Sequence, residues 1–500
     1  MAIPISTSRS HLFNAVTDSR RQSDDLQRQM ATGLKSETYG GLGLERRQLI
    51  EFNSDLSQVE GYLRGITQAQ VRVDILDTTL TQIRDAISET RSNSLNTNFE
   101  LDTEGKTLFQ NEAFARFQDV ASIFNTEAGG RYIYGGREVS ERPVEAPDVI
   151  LNGQGGQAGF YQIANERQLA DLGADFKGRV TVSRPSTSEV NLAEDGVHPF
   201  GFKISALNNT LTGVTATGPA GSPSALNIDV TANSLQDGET LTIGLTLPDG
   251  TTRDLVLTAR TGAPQQNGEF EIGATADDTA DNIEAALNTE LLRLADTELK
   301  AASNFEAAEN FFKFDGTTPP QRVDGPPFES ATGLVDATEA NTVFWYQGEL
   351  ATDDARLSQT VRVDDYISVE YGARADEEAF RVALENLAVA SYQSYSSADG
   401  NAQDRYDAMR ARVTGNLSDQ PSQQHIDHIL AEVASANAVI ANTKERHETH
   451  GNLLKQFVDD VQNADIYEVS AQLLDLQTRL QATYQTMATL QQLSLVNFIR

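Results

Sequence analysis

The sequence predicts an α+β fold: a long helical rod from paired N- and C-terminal helices, with a β-rich outer domain inserted between them. Two observations predict it. From Ser422 to Arg500 there is no proline and a single glycine, Gly451. Over that run apolar side chains recur at Val469, Leu473, Leu476, Leu480, Tyr484, Met487, Leu490 and Leu493, in steps of three and four that share one helical face. In the middle the period falls to two, as in Leu241, Ile243, Leu245 and Leu247.

The N-terminal half mirrors the C-terminal one. Leu12, Val16, Leu26 and Met30 mark the apolar points of a first helix that stops at Thr32-Gly33, before a glycine-rich break, Tyr39-Gly40-Gly41-Leu42-Gly43. A second helix carries Leu56, Val59, Leu63, Ile66, Val73, Leu76, Leu80, Ile83 and Ile87, close to heptad spacing. Gly61 and Gly65 lie inside it and each costs about 1 kcal/mol against alanine, so tertiary packing has to hold it. A third helix holds Phe109, Ala113, Phe117, Val120 and Phe124 and ends at Gly129-Gly130, after which Arg131–Tyr134 reads as a short strand.

The insert starts near residue 143. Leu226, Ile228 and Val230 alternate, and Pro248-Asp249-Gly250 turns the 241–247 strand back into Leu255, Leu257 and Ala259. A helix near 279–295 interrupts the strands with Ile283, Leu287, Leu291 and Leu294. Strands are expected again at Thr342–Tyr346 and Val361–Val369. From Asp376 the helical period resumes through Phe380, Leu384, Leu387 and Tyr395, and Pro421 opens the last long run at a first-turn position. The expected divisions are 1–40, an N-terminal assembly helix; 41–143, the N-terminal half of the rod; 144–372, the insert; 373–450, the C-terminal half; and 451–500, a C-terminal assembly helix.

Charge narrows the function classes. The chain holds 39 basic and 72 acidic residues, a formal net of −33, so a phosphate backbone or an anionic membrane would be repelled. Cysteine is absent, which excludes disulfides and thiolate metal sites and suits either the cytosol or export through a narrow channel unfolded. No stretch at the N-terminus is apolar enough for a cleaved secretory signal and none elsewhere would span a bilayer. Composition by itself points to the cytosol.

The candidate chemistry is thin. His425 with His428 and His447 with His450 are spaced i,i+3, with Glu448 beside the second pair, but each pair lacks a third converging ligand. Along one helix the pairs stand about 33 Å apart. The glycines of Gly153–Gly159 lack the lysine and the βαβ context of a phosphate loop and read as a turn. Trp345, the only tryptophan, reads as a core or interface residue. No catalytic, cofactor or metal residues are assigned. The end of the chain leans toward assembly instead. Leu490, Leu493, Leu495, Val496, Phe498 and Ile499 crowd its last eleven residues, where apolar groups fray into water unless something covers them.

Several segments resemble the bacterial flagellin superfamily. Asn463-Ala-Asp-Ile-Tyr-Glu-Val-Ser-Ala-Gln-Leu-Leu474 continues to an ending, Leu493-Ser-Leu-Val-Asn-Phe-Ile499, that is similar to the hook–filament junction group (hook-associated protein 3). Gln29-Met-Ala-Thr-Gly-Leu34 is similar to the family's Gln-x-x-Thr-Gly after its first helix. Arg131-Tyr-Ile-Tyr-Gly-Gly136 with Pro143, and Val369-Glu-Tyr-Gly-Ala373 ahead of a helix, also resemble junction proteins. The likeness covers about residues 1–145 and 360–500. One loop departs from it: Tyr39-Gly-Gly-Leu-Gly43 stands where many members carry Asp-Asp-Pro or Asp-Asp-Ala.

The resemblance implies a coiled-coil rod, a homo-oligomer in a tubular assembly, and contacts with a neighbouring hook-associated protein and flagellin. It also implies type III export with an uncleaved N-terminus and a cytoplasmic chaperone, hence an extracellular location. The expected role is a structural, non-enzymatic adaptor joining the hook region to the filament. Filament flagellin is the alternative, and a metal-binding or enzymatic module using the histidine pairs or the insert is a further one. The expected assembly interface is Leu12, Val16, Leu26, Met30, Leu473, Leu476, Leu480, Met487, Leu490, Leu493, Leu495 and Phe498.

Overall fold

The computed structural model describes residues 5–96, 98–313, 318–418 and 423–498 and is α+β. It opens with α1 (Ile5–Thr32), passes a 3-10 segment at Tyr39–Glu45 and enters the 51-residue α2 (Arg46–Asn96). Next come α3 (Leu108–Ile123), α4 (Pro147–Asn152) and α5 (Phe160–Leu172). Eight strands follow: β1 (Val180–Ser183), β2 (Glu189–Glu194), β3 (Lys203–Asn209), β4 (Val214–Ala220), β5 (Ala225–Val230), β6 (Thr240–Thr246), β7 (Thr252–Arg260) and β8 (Glu269–Glu271). Then α6 (Ala276–Leu294) passes a π turn into α7 (Lys300–Phe312). Two small two-stranded sheets, β9 (Gln321–Val323) with β10 (Leu334–Asp336) and β11 (Thr360–Arg362) with β12 (Ser368–Glu370), precede the last helices. These are α8 (Glu378–Tyr392), α9 (Ala402–Asn416), α10 (Ile426–Gln462) and α11 (Ile466–Phe498).

The chain forms two compact units, and α2 and α10 each contribute to both. The first unit takes the described residues up to Gln70, Val361–Val369, and those from Ala438 onward. Within it α2 and α10 run antiparallel in one steady register. Phe52 meets Phe457 with ring centroids 5.3 Å apart, Val59 lies against Gly451, and the Tyr62 ring stacks on His447 at 5.3 Å. A side chain at Gly451 would place its Cβ 3.5 Å from Val59, so the glycine sits where the two helices touch. It does not end the helix, and the expected division at 450/451 falls inside α10.

The break comes later, at Asn463–Asp465. Gly33, at φ +72°, ends α1 with its N–H on the Gln29 carbonyl at 2.8 Å. The next residues then bond across to the other chain end: the Lys35 N–H donates to the Gln462 carbonyl and the Ala464 N–H to the Gly33 carbonyl, both at 2.9 Å. Asp465 restarts the helix by accepting the Tyr467 N–H at 2.9 Å and the Glu468 N–H at 3.2 Å. The run from Ser422 onward is therefore two helices, although it holds no proline and no glycine near the break. Pro421 lies outside the described residues.

The second unit comprises Val71–Thr360 and Glu370–Asn437. Two four-stranded sheets, in the orders β1-β2-β5-β4 and β3-β6-β7-β8, are antiparallel except for β7–β8. The predicted hairpin is present, with Thr246 opposite Thr252 and Asp249 bonding the Thr251 N–H across the turn at 3.1 Å. Alternate residues of both sheets, with Ile283, Leu287, Leu291 and Leu294 of α6, form one buried cluster. Each large apolar side chain in it contributes about 1.5–3 kcal/mol over exposure. The insert is more helical than its β-rich description, because α4, α5, α6 and α7 all fall within 144–372.

Two expected strands dissolve into irregular structure, and a third divides into two short ones. Arg131–Tyr134 makes only the bridge Glu127–Tyr132. Its side chains are used for packing instead: Tyr134 is buried, 5.2 Å from the Phe124 ring, with its hydroxyl 2.6 Å from Thr79. Thr342–Tyr346 makes single bridges at both ends, and Trp345, expected as a core or interface residue, is core, its Nε1 donating to the Phe312 carbonyl at 3.1 Å. Val361–Val369 is split by a turn at Val363–Ile367 into the ends of β11 and β12.

Around α8, carboxyl groups are buried. Glu377 pairs with Arg356 and accepts the Arg374 N–H at 3.1 Å. Burial pushes Asp376 up to about 6 and Glu385 up to about 7. The folded unit thus holds protons that an unfolded chain releases, and stability falls as pH rises from about 4 through 7. Glu385→Gln should flatten that decline and stabilise the protein at pH 8 by about 1 kcal/mol, a rise of about 1–3 °C. Thermal unfolding at pH 5 and pH 8 checks this; a parallel shift at both would contradict it.

Candidate assembly surface

The terminal helices carry the surface. Along α1 and α11 the apolar residues are too closely spaced to share one narrow face, since Leu12-Phe13 and Leu473-Leu474 are adjacent pairs about 100° apart around a helix. One face of each helix is spent within the chain. Leu26, Val469 and Leu476 are buried together, with Ala464, Leu473 and Leu480 half-buried against them. The Arg20 guanidinium donates to the Tyr484 hydroxyl at 2.8 Å and lies over its ring. Pairing of 20 with 484 and of 34 with 463 makes α1 and α11 antiparallel.

The expected interface residues divide accordingly. Val16, Leu26 and Leu476 are buried, Leu12, Leu473, Leu480 and Met487 are half-buried, and Met30 is exposed. The side chains of Leu490, Leu493, Leu495 and Phe498 lie outside the described residues. The second face was missed in the sequence. Phe13 is 70% exposed, Leu474 65% and Tyr467 90%, and the signal available was the adjacent apolar pairs. On the 3-10 segment Leu44 and Tyr39 are also exposed, and Gly43 takes φ +56°.

A second feature of this unit is the 361–369 turn. Asp365 accepts the Tyr62 hydroxyl at 2.7 Å and the Gln58 amide at 2.8 Å, and Asp364 pairs with Arg446. The Asp365 N–H, followed by Arg446 and His447, holds the Asp364 carboxyl below its usual range. His447 is buried, with Nε2 2.8 Å from the Val363 carbonyl. Its role here is to join the turn to α10. His450 is exposed, and the His425 and His428 rings meet edge-on at 5.6 Å. Among the described residues no three His, Cys, Asp or Glu side chains converge as a metal site. Among them too, no helix is long and apolar enough to cross a membrane. The Gly153–Gly159 segment is a turn closed by the Gln157 N–H on the Gln154 carbonyl at 2.9 Å.

No protein-family model and no curated protein matches this chain. The site is accordingly read from geometry: an antiparallel helix pair stapled at 33–35 and 462–464, with apolar side chains left on its outer face. Its chemistry is burial of surface, worth roughly 25 cal/mol per Å².

Leu476→Asp would bury a charge in the α1–α11 seam, at a cost of several kcal/mol. Hydrogen exchange should show α1 and α11 losing protection while the β sheets keep theirs. Unchanged protection in α11 would show that the seam does not hold it.

Proposed function

We propose that this protein is a structural subunit of the bacterial flagellum, an adaptor that joins the hook region to the filament. Its terminal helices would pack against those of neighbouring copies in a tube, and against an adjoining hook-associated protein and flagellin. The observation that carries this reading is the paired α1 and α11 with Phe13, Tyr467 and Leu474 exposed on their outer sides. A helix pair of this kind buries one stripe internally and keeps a second for association. The antiparallel register of α2 with α10 in the first unit supports a coiled-coil rod, and α2 alone is about 76 Å long. The segment resemblances add the export route: an uncleaved N-terminus, a cytoplasmic chaperone and passage of an unfolded, cysteine-free chain to the cell exterior.

Deleting residues 490–500 should leave the β sheets folded and abolish incorporation into flagella. Phe13→Asp combined with Leu474→Asp should do the same while α1 and α11 keep their exchange protection, because those side chains are outside the internal seam. Immunogold labelling should place the wild-type protein at one point beside the hook. Incorporation of either variant at wild-type levels would refute the reading. Labelling along the whole filament, with seeded growth of long filaments from the purified protein, would make it a filament flagellin.

A further inference from the structure

Between α1 and α2 the 3-10 segment Tyr39–Glu45 is interrupted at a single residue. Gly43 takes φ +56° and ψ −118°, whereas Arg46, which enters α2, is already helical at φ −52° and ψ −42°. The Gly43 angles are the mirror image of ordinary extended backbone, open to glycine and avoided by residues with a Cβ. No neighbour asks for them. A Cβ on Gly43 would have nothing within 4 Å, so conformation and not crowding keeps a side chain out.

The bent form is lightly held. No residue of the segment is buried, and Leu44 is 97% exposed. Its fastenings are short-range and polar. The Gly41 N–H and the Ser36 hydroxyl donate to the Thr38 carbonyl at 3.0 Å and 2.9 Å, and Lys35 pairs with Glu45 at 3.4 Å. Exposed bonds of this kind belong to the low end of local stability. A straight form has its own support. Leu42, Leu49, Leu56 and Leu63 stand seven residues apart, so a helix running back through Gly43 extends the seam of α2 by one heptad. Beside the half-buried Leu42, a groove of about 430 Å³ between α1 at Arg28 and α11 at Val469 leaves room for the change. The glycines oppose the helix and the leucines favour it, which is the balance a two-state element needs.

We infer that Gly43 is the pivot of a two-state joint: residues 39–45 alternate between this bent form and an uninterrupted helix running from Tyr39 to Asn96. The crossing bonds at 33–35 and 462–464 lie outside the moving residues, so the pairing of the two chain ends is kept. On the assembly reading above, the joint gives the terminal pair two settings as copies pack. The switch itself rests on Gly43 and not on that reading.

Hydrogen exchange of the full-length protein tests it, with Gly43→Ala beside Gly40→Ala. Gly40 has no left-handed backbone and has open space about its Cβ, so its alanine is the matched control. Gly43→Ala should slow exchange of the 43–48 amides at least about tenfold, because it penalises the bent form and favours the helix. Gly40→Ala should change that exchange by about twofold at most. Because the chain holds no cysteine, spin labels at Tyr39→Cys and Arg47→Cys read the same change as a distance. With Gly43→Ala they should settle at one separation, about 12 Å along the axis for eight helical residues. Exchange that is unchanged or faster in Gly43→Ala, or slowed equally by Gly40→Ala, would overturn the pivot. Lost protection across α1 and α11 would also overturn it, since the alanine would then only break the joint. Each measurement is independent of incorporation into flagella.

Discussion

The constraint on which this fold rests is that its two ends have to find each other. In the first unit α1 and the start of α2 share one compact body with residues 361–369 and those from Ala438 onward. Closing so long a loop is costly only in its logarithm, so a modest seam suffices once formed. The crossing bonds at 33–35 and 462–464 set that seam's register. Beyond the 3-10 segment α2 and α10 pair in a register of their own, from Phe52 on Phe457 to Tyr62 on His447.

The same pairing decides which apolar residues remain available for anything else. A stripe that can be buried inside the chain is removed from the surface, and Leu26 and Leu476 are removed in this way. Phe13 and Leu474, each next to a half-buried leucine (Leu12 and Leu473), cannot turn inward without giving up the seam, because the helix rotates each successive side chain by about 100°. Pairing within the chain therefore creates the outer face instead of competing with it.

Chemistry inside the second unit obeys a different rule. Where charges are buried around α8, geometry is set by partner availability: Glu377 and Arg356 close on each other, whereas Glu385 and Arg381 line a pocket. None of this is visible in periodicity. Glu385 and Arg381 are spaced like any solvent-facing ion pair on a helix, and only the fold brings residues of α7, α9 and the β6–β7 turn around them to line one pocket. His447 belongs to the same category. In sequence it stands beside His450 as half of a possible metal pair, and in the fold it is a buried support for the 361–369 turn.

The sequence by itself determined the helices at both ends, the stop at Gly33, the hairpin around Asp249 and the single α6 inside the sheets. These depend on local period, capping and turn chemistry, which a short window contains. It misplaced the strands at 131–134 and 342–346, where aromatic side chains claimed by the core override β propensity. Only the tertiary structure decided the break at Asn463–Asp465, the interior position of Gly451 and the split between buried and exposed apolar faces. Each of those depends on a partner more than 390 residues away, and no local pattern encodes where such a partner will lie.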